Sequence, residues 1–149
     1  MSEPPQSTRP RTPWHLWVVG ILALLWNAMG AFDYLMTQTR SEGYMSQFTP
    51  AQLEFFYAFP AWVVSAWAIA VWGGVLGSLL LLLRRGLAYP VFIVSFAGLL
   101  VTTIHNFVLT NGIEAMGGAG PLAFTAAIVV VAILLIVYSG AQRNRGVLL

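Results

Sequence analysis

The sequence predicts an all-α integral membrane protein, a four-helix bundle with both termini on the cytoplasmic side. Three observations carry this. The chain has 149 residues, of which 58% are hydrophobic and 8% charged, whereas a soluble domain carries about a quarter charged residues. Four long apolar stretches match the ~20 residues that a helix needs to cross a bilayer. Six of the seven arginines (Arg9, Arg11, Arg84, Arg85, Arg143 and Arg145) fall on one side of those stretches, opposite Arg40, Glu42, Glu54 and Glu114. By the positive-inside rule that side is cytoplasmic. At this length there is room for one domain.

Residues 1–13, MSEPPQSTRPRTP, are polar and proline-rich, without apolar periodicity. They read as a disordered cytoplasmic tail. Residues 14–36 form the first span, ~35 Å long as a helix and able to cross a ~30 Å core with tilt. Trp14 and Trp17 sit in its first turn, where indoles favour the headgroup region. A basic lead, an apolar run and the small residues Ala28 and Gly30 imitate a cleavable signal. The apolar character continues through Phe32, Leu35 and Met36, so a retained anchor is expected.

Residues 37–59 are too polar at their start to span. Thr49-Pro50-Ala51-Gln52 has the form of a helix start: Thr as N-cap, Pro at the first helical position and Gln at the capping-box position. The aromatic segment AQLEFFYAF that follows is expected as a short helix along the headgroups.

The second span, residues 60–83, is uncharged and holds three of the six tryptophans. Ala66, Ala70 and Gly74 recur at i, i+4, i+8, with Gly73 and Gly77 beside them. Such a ridge of small residues lets a neighbouring helix approach closely. Arg84-Arg85-Gly86 is expected to make a tight turn. The third span, residues 87–109, is the most polar, and Ser95, Gly98, Thr102 and Asn106 share one helical face. The fourth, residues 121–140, starts at Pro121, ends at Gly140 and is almost uniformly apolar. Residues 141–149 read as a cytoplasmic tail.

With spans one and three running in the same direction, Asp33 and His105 each lie about one turn from the outer end, at a shared depth. An ionisable residue in a span is by default a functional-site hypothesis with a named partner, and the expected pair is Asp33 with His105. Asn27, Asp33, Tyr34, Thr102, His105 and Asn106 are the expected lining of an outward-facing polar pocket, with Glu54 and Tyr57 as covers. The alternative is that Asp33 and His105 are hydrated near the headgroups while Asn27 and Asn106 make interhelical hydrogen bonds. The Ala66, Ala70, Gly73, Gly74 and Gly77 ridge is expected to serve helix packing.

Other chemistries find no support in the residues. The chain has no cysteine and no lysine, which removes thiolate metal sites and Schiff-base chemistry. His15 and His105 lie at opposite ends, which argues against bis-histidine haem, and one His with scattered carboxylates is thin for zinc. There is no GxSxG, P-loop or Rossmann pattern. The single aspartate leaves no aspartyl pair. No catalytic residue, metal or cofactor is expected, and a net charge of only +2 gives no case for nucleic acid.

Trp26-Asn27, Gly30 and Asp33-Tyr34, then Tyr44-Met45, Thr49-Pro50 and Gln52, then Trp67-Ala68, Val71-Trp72-Gly73-Gly74 and Gly77 resemble the pattern of a group of four-span inner-membrane proteins of proteobacteria. The resemblance covers about residues 14–110. It implies a multi-pass protein of the bacterial inner membrane, and some members of that group are labelled sugar transporters. The expected role is binding or transport of a small polar solute, as a homo-oligomer or in a larger membrane complex. The alternative is a non-catalytic accessory subunit that docks through the glycine ridge.

Overall fold

The computed structural model describes residues 10–149, so most of the expected disordered tail lies outside the described residues. Every regular element among them is helical: α1 (Trp14–Gln38), α2 (Glu42–Met45), α3 (Pro50–Tyr57), α4 (Ala61–Leu82), α5 (Ala88–Ile104), α6 (Gly112–Ala115) and α7 (Ala119–Asn144). A π-helical turn, His105–Leu109, prolongs α5. Four helices are long and apolar enough to cross a membrane. Neighbouring long helices run antiparallel. The start of α1, the C-terminal residues and the α4–α5 turn therefore meet at one end of the bundle, the terminal end, while α2, α3 and α6 gather at the other, the loop end.

The small residues decide the order of the helices. α4 packs between α1 and α5, and α7 leans mainly on α5. On the α1 side, Gly74 accommodates the side chain of Asn27, and Gly20 accommodates Leu82. On the α5 side, Gly77 receives the ring of Phe92, and Gly73 lies against Ser95. Gly98 of α5 returns the fit: a Cβ there would stand 2.6 Å from the carbonyl oxygen of Ala66. Lipid tails are as apolar as leucine, so close van der Waals packing, more than burial from water, holds helices together here. The ridge predicted on α4 is thus filled by this chain's own α1 and α5.

The two ends are built from different materials. The terminal end is mainly aliphatic: Leu16, Leu81, Ala88, Leu135, Val147 and Leu148 form a buried cluster with the ring of Phe92. The last residues belong to it. α7 runs past Gly140, whose missing side chain makes room for the Tyr89 ring, and ends where Gly146 takes φ +77°. Gly146 N–H donates to Arg143 and Val147 N–H to Gln142, a Schellman close. The chain then returns so that Leu149 N–H donates to the Arg84 carbonyl at 3.0 Å and Gly86 N–H to the Leu149 carbonyl at 2.7 Å. Residues 147–149 thus form a strap that closes the bundle. The α4–α5 turn itself pivots on Arg84, at φ 56°, rather than on Gly86.

The loop end is aromatic. Phe48, Phe55, Phe56 and Phe59 stack edge to face with centroids 5.3–6.3 Å apart. The capping box at the start of α3 is present: Gln52 N–H donates to Thr49 Oγ1 at 3.2 Å, and Thr49 N–H to Gln52 Oε1 at 3.0 Å.

Candidate functional site

A cavity of about 470 Å³ lies between α1, α4, α5 and α7 on the loop side of the bundle centre. It exists because α7 splays from α1. Only 6% of the most apolar window of α7 is buried, against 22–28% for the other three long helices. Trp26 of α1 and Phe124 of α7 meet across this seam with ring centroids 5.9 Å apart. Bulky rings there hold apart what glycine brings together elsewhere.

On α1, Trp26, Met29, Gly30 and Asp33 face the cavity, the i, i+3, i+4, i+7 stripe of one helix face. Asn27 lies at the edge of that stripe. Its Nδ2 donates to the Ala23 carbonyl at 2.9 Å and to Ser78 Oγ at 3.2 Å, so it also ties α1 to α4. Tyr34 lies on the α4 side of the helix and does not line the cavity. Its ring packs against Trp67 and Trp72 at 5.0 and 6.4 Å.

On α5, Ser95, Thr102 and Asn106 line the opposite wall, with Leu99 and Thr103. The hydroxyls are satisfied locally: Thr102 and Thr103 donate to carbonyls one turn back, and Ser95 donates across the seam to Ala70. Their oxygens keep lone pairs for a ligand. The π-helical turn carries the last residue of this wall, Asn106. Thr110 Oγ1 donates to the carbonyls of His105 and Asn106 at 2.9 and 3.0 Å, satisfying groups that the turn would otherwise strand.

His105 and Asp33 do not pair. His105 is buried in the aromatic end, edge-on to Phe59 and Trp62 at 5.4 and 5.5 Å, and its Nδ1 bonds Asn106 Oδ1 at 3.1 Å. Equal depth fails to make a contact because α4 stands between α1 and α5. The partner of Asp33 is Tyr44 of α2, whose hydroxyl donates to the carboxylate. Burial, then the hydrogen bond to Asp33 and the charge of that carboxylate, push the Tyr44 hydroxyl up to about 12. Tyr44 is braced edge-on by Phe32 and Phe48 and covers the cavity. The expected covers lie elsewhere: Glu54 is exposed, and Tyr57 is occupied by the Arg40 guanidinium 4.1 Å from its ring centroid.

Of the six expected residues, Asn27, Asp33, Thr102 and Asn106 come together, while Tyr34 and His105 do not. Missing from the expectation were Trp26, Tyr44, Trp67, Ser95, Thr103 and Thr125. Among the described residues, Asp33 is the one charge in the lining, which holds no histidine or arginine. Among the described residues no three His, Cys, Asp or Glu side chains cluster as metal ligands would. No protein family, no curated protein and no solved structure matches the chain.

Proposed function

We propose that the protein binds a small polar solute in this cavity and carries it across the bacterial inner membrane, with both termini in the cytoplasm and the cavity opening outward. The observation that carries the reading is the lining itself. A lone carboxylate, held by a hydroxyl and with no cation beside it among the described residues, shares a mostly apolar space with two amides, four hydroxyl side chains and two indoles. Apolar walls with a few convergent polar groups are the common form of a small-molecule site. The orientation rests on the arginines at the terminal end, and α3, with its aromatic face, is read as lying along the outer headgroups. A narrow path within one chain favours a homo-oligomer as the working unit.

Two solute classes fit: an organic cation, which would pair with Asp33 and stack on Trp26 and Trp67, and a polyol such as a sugar. Asp33→Asn separates them. A cation loses its counter-charge, whereas a hydroxylated solute keeps most of its hydrogen bonds. Purified protein would be titrated calorimetrically with tetraethylammonium and with hexoses, and reconstituted for uptake. Binding of both series unchanged in Asp33→Asn and Asn106→Ala would remove the cavity from the function.

The second reading is an accessory subunit of a larger membrane complex. Its favouring observation is the sparsely buried α7. The glycine ridge of α4 is already filled from within the chain, so a partner helix would lie on α7.

A further inference from the structure

The α1–α7 seam opens a second time nearer the terminal end. There a trough of about 580 Å³ is walled by Val19, Val131, Leu134, Leu135 and Val137 and rimmed by His15, Tyr138, Gln142 and Arg145. We infer that this trough is a binding site for an anionic phospholipid of the leaflet at the terminal end, with an acyl chain along the aliphatic wall and the headgroup at the rim. The inference does not depend on the solute reading of the central cavity.

Three observations point to that occupant. The wall is almost wholly aliphatic and lies on helices long enough to cross a membrane, so lipid is the solvent that meets it. Among the described residues, the rim carries Arg145 and His15 and no carboxylate. The described acidic residues, Asp33, Glu42, Glu54 and Glu114, all lie toward the opposite end, whereas Arg11, Arg84, Arg85 and Arg143 lie at this one. A guanidinium at headgroup depth suits a phosphate, and the exposed Trp14 and Trp17 mark that depth on α1. Finally, Gln142 is only 3% exposed, and its Oε1 is the one buried side-chain polar atom among the described residues without a hydrogen-bond partner. An unmet buried acceptor calls for a donor, and the glycerol hydroxyls of a phosphatidylglycerol headgroup supply one. His15 is already held by the Tyr138 hydroxyl, so the rim has one side fixed.

The test is native mass spectrometry of the full chain in mild detergent, with phosphatidylglycerol or phosphatidylcholine added. Phosphatidylglycerol is expected to be retained in preference to phosphatidylcholine. Arg145→Gln should lower its occupancy about five-fold, the effect of one basic side chain at a charged lipid surface. Arg143→Gln, the same charge change outside the trough, should leave it nearly unchanged, and Leu134→Trp, which fills the trough without touching charge, should abolish it. Equal retention of the two lipids, or equal losses in Arg145→Gln and Arg143→Gln, would overturn the site. So would a dimer that survives delipidation and is lost in Leu134→Trp, which would give the trough to a second copy. Should a variant fail to fold, the native chain with a photoactivatable phosphatidylglycerol decides: adducts concentrated on residues 15–19 and 131–145 support the site, and adducts spread around the bundle overturn it.

Discussion

Along the α4–α5 seam, Gly98 brings two backbones so near that a Cβ would stand 2.6 Å from a carbonyl oxygen of the neighbouring helix. Along the α1–α7 seam, helices meet through rings, Trp26 with Phe124 and His15 with Tyr138, and leave spaces of about 470 and 580 Å³. The same chain thus contains a seam closed by the absence of side chains and a seam propped open by their bulk. Rigidity belongs to the first and room for other molecules to the second. The polar residues follow this division. Ser78, in the closed part, is fully buried and donates to Gly74, whereas Asp33 and Asn106, at the open part, are half-buried and face the cavity.

The same side chain placed in each seam should have opposite consequences. Gly98→Leu forces a side chain into backbone that cannot move away, so the loss should exceed the ~1–3 kcal/mol of ordinary overpacking. Little monodisperse protein should survive size exclusion in detergent. Ala132→Leu, facing the cavity, should fold with near-native stability and lose solute binding. Equal tolerance of both substitutions would refute the contrast.

A smaller effect is expected at the strap. Leu148 is 3% exposed within the terminal cluster, and Leu148→Ala should cost about 2 kcal/mol by the usual loss of buried aliphatic volume. Denaturant titration followed by tryptophan fluorescence measures it, and an unchanged midpoint would show that the strap does not hold the bundle. Smaller again, Asn27→Ala removes the link to Ser78 and should cost about 1 kcal/mol or less, as interhelical hydrogen bonds in membranes do.

The mildest prediction concerns Tyr44. Its hydroxyl is raised from the ordinary 10.0 to about 12, so the folded state favours the neutral phenol. The associated stability is fully present below pH 10 and is lost as the pH rises toward 12. Ultraviolet titration should show a late-ionising phenol that is lost in Tyr44→Phe and shifted back toward the ordinary value in Asp33→Asn. An unchanged number of late-ionising tyrosines in Tyr44→Phe would refute the assignment.

Some of the site was legible before the fold. Asp33, Asn27, Thr102 and Asn106 stood out because polar side chains in apolar helices are costly and few. Tyr44 was visible only as part of a loop motif, since nothing local says that α2 folds back over the end of α1. Trp26 and Trp67 looked like any interfacial or packing indole. The pairing of Asp33 with His105 failed on azimuth: sequence position sets how deep a residue lies, but which helix it faces depends on how the helices are ordered around the bundle.

From the sequence alone come four helices that can cross a membrane, their approximate ends, the position of each polar group along its helix and the uneven distribution of arginine, because length, hydropathy and 1.5 Å per residue are local properties. The tertiary structure decided that α4 lies in the middle, that its glycines are consumed within the chain, that Asp33 answers to a tyrosine, and that α7 stands off far enough to leave two spaces beside it. Those are outcomes of side-chain volumes meeting across helices remote in sequence, and no window of one helix contains them.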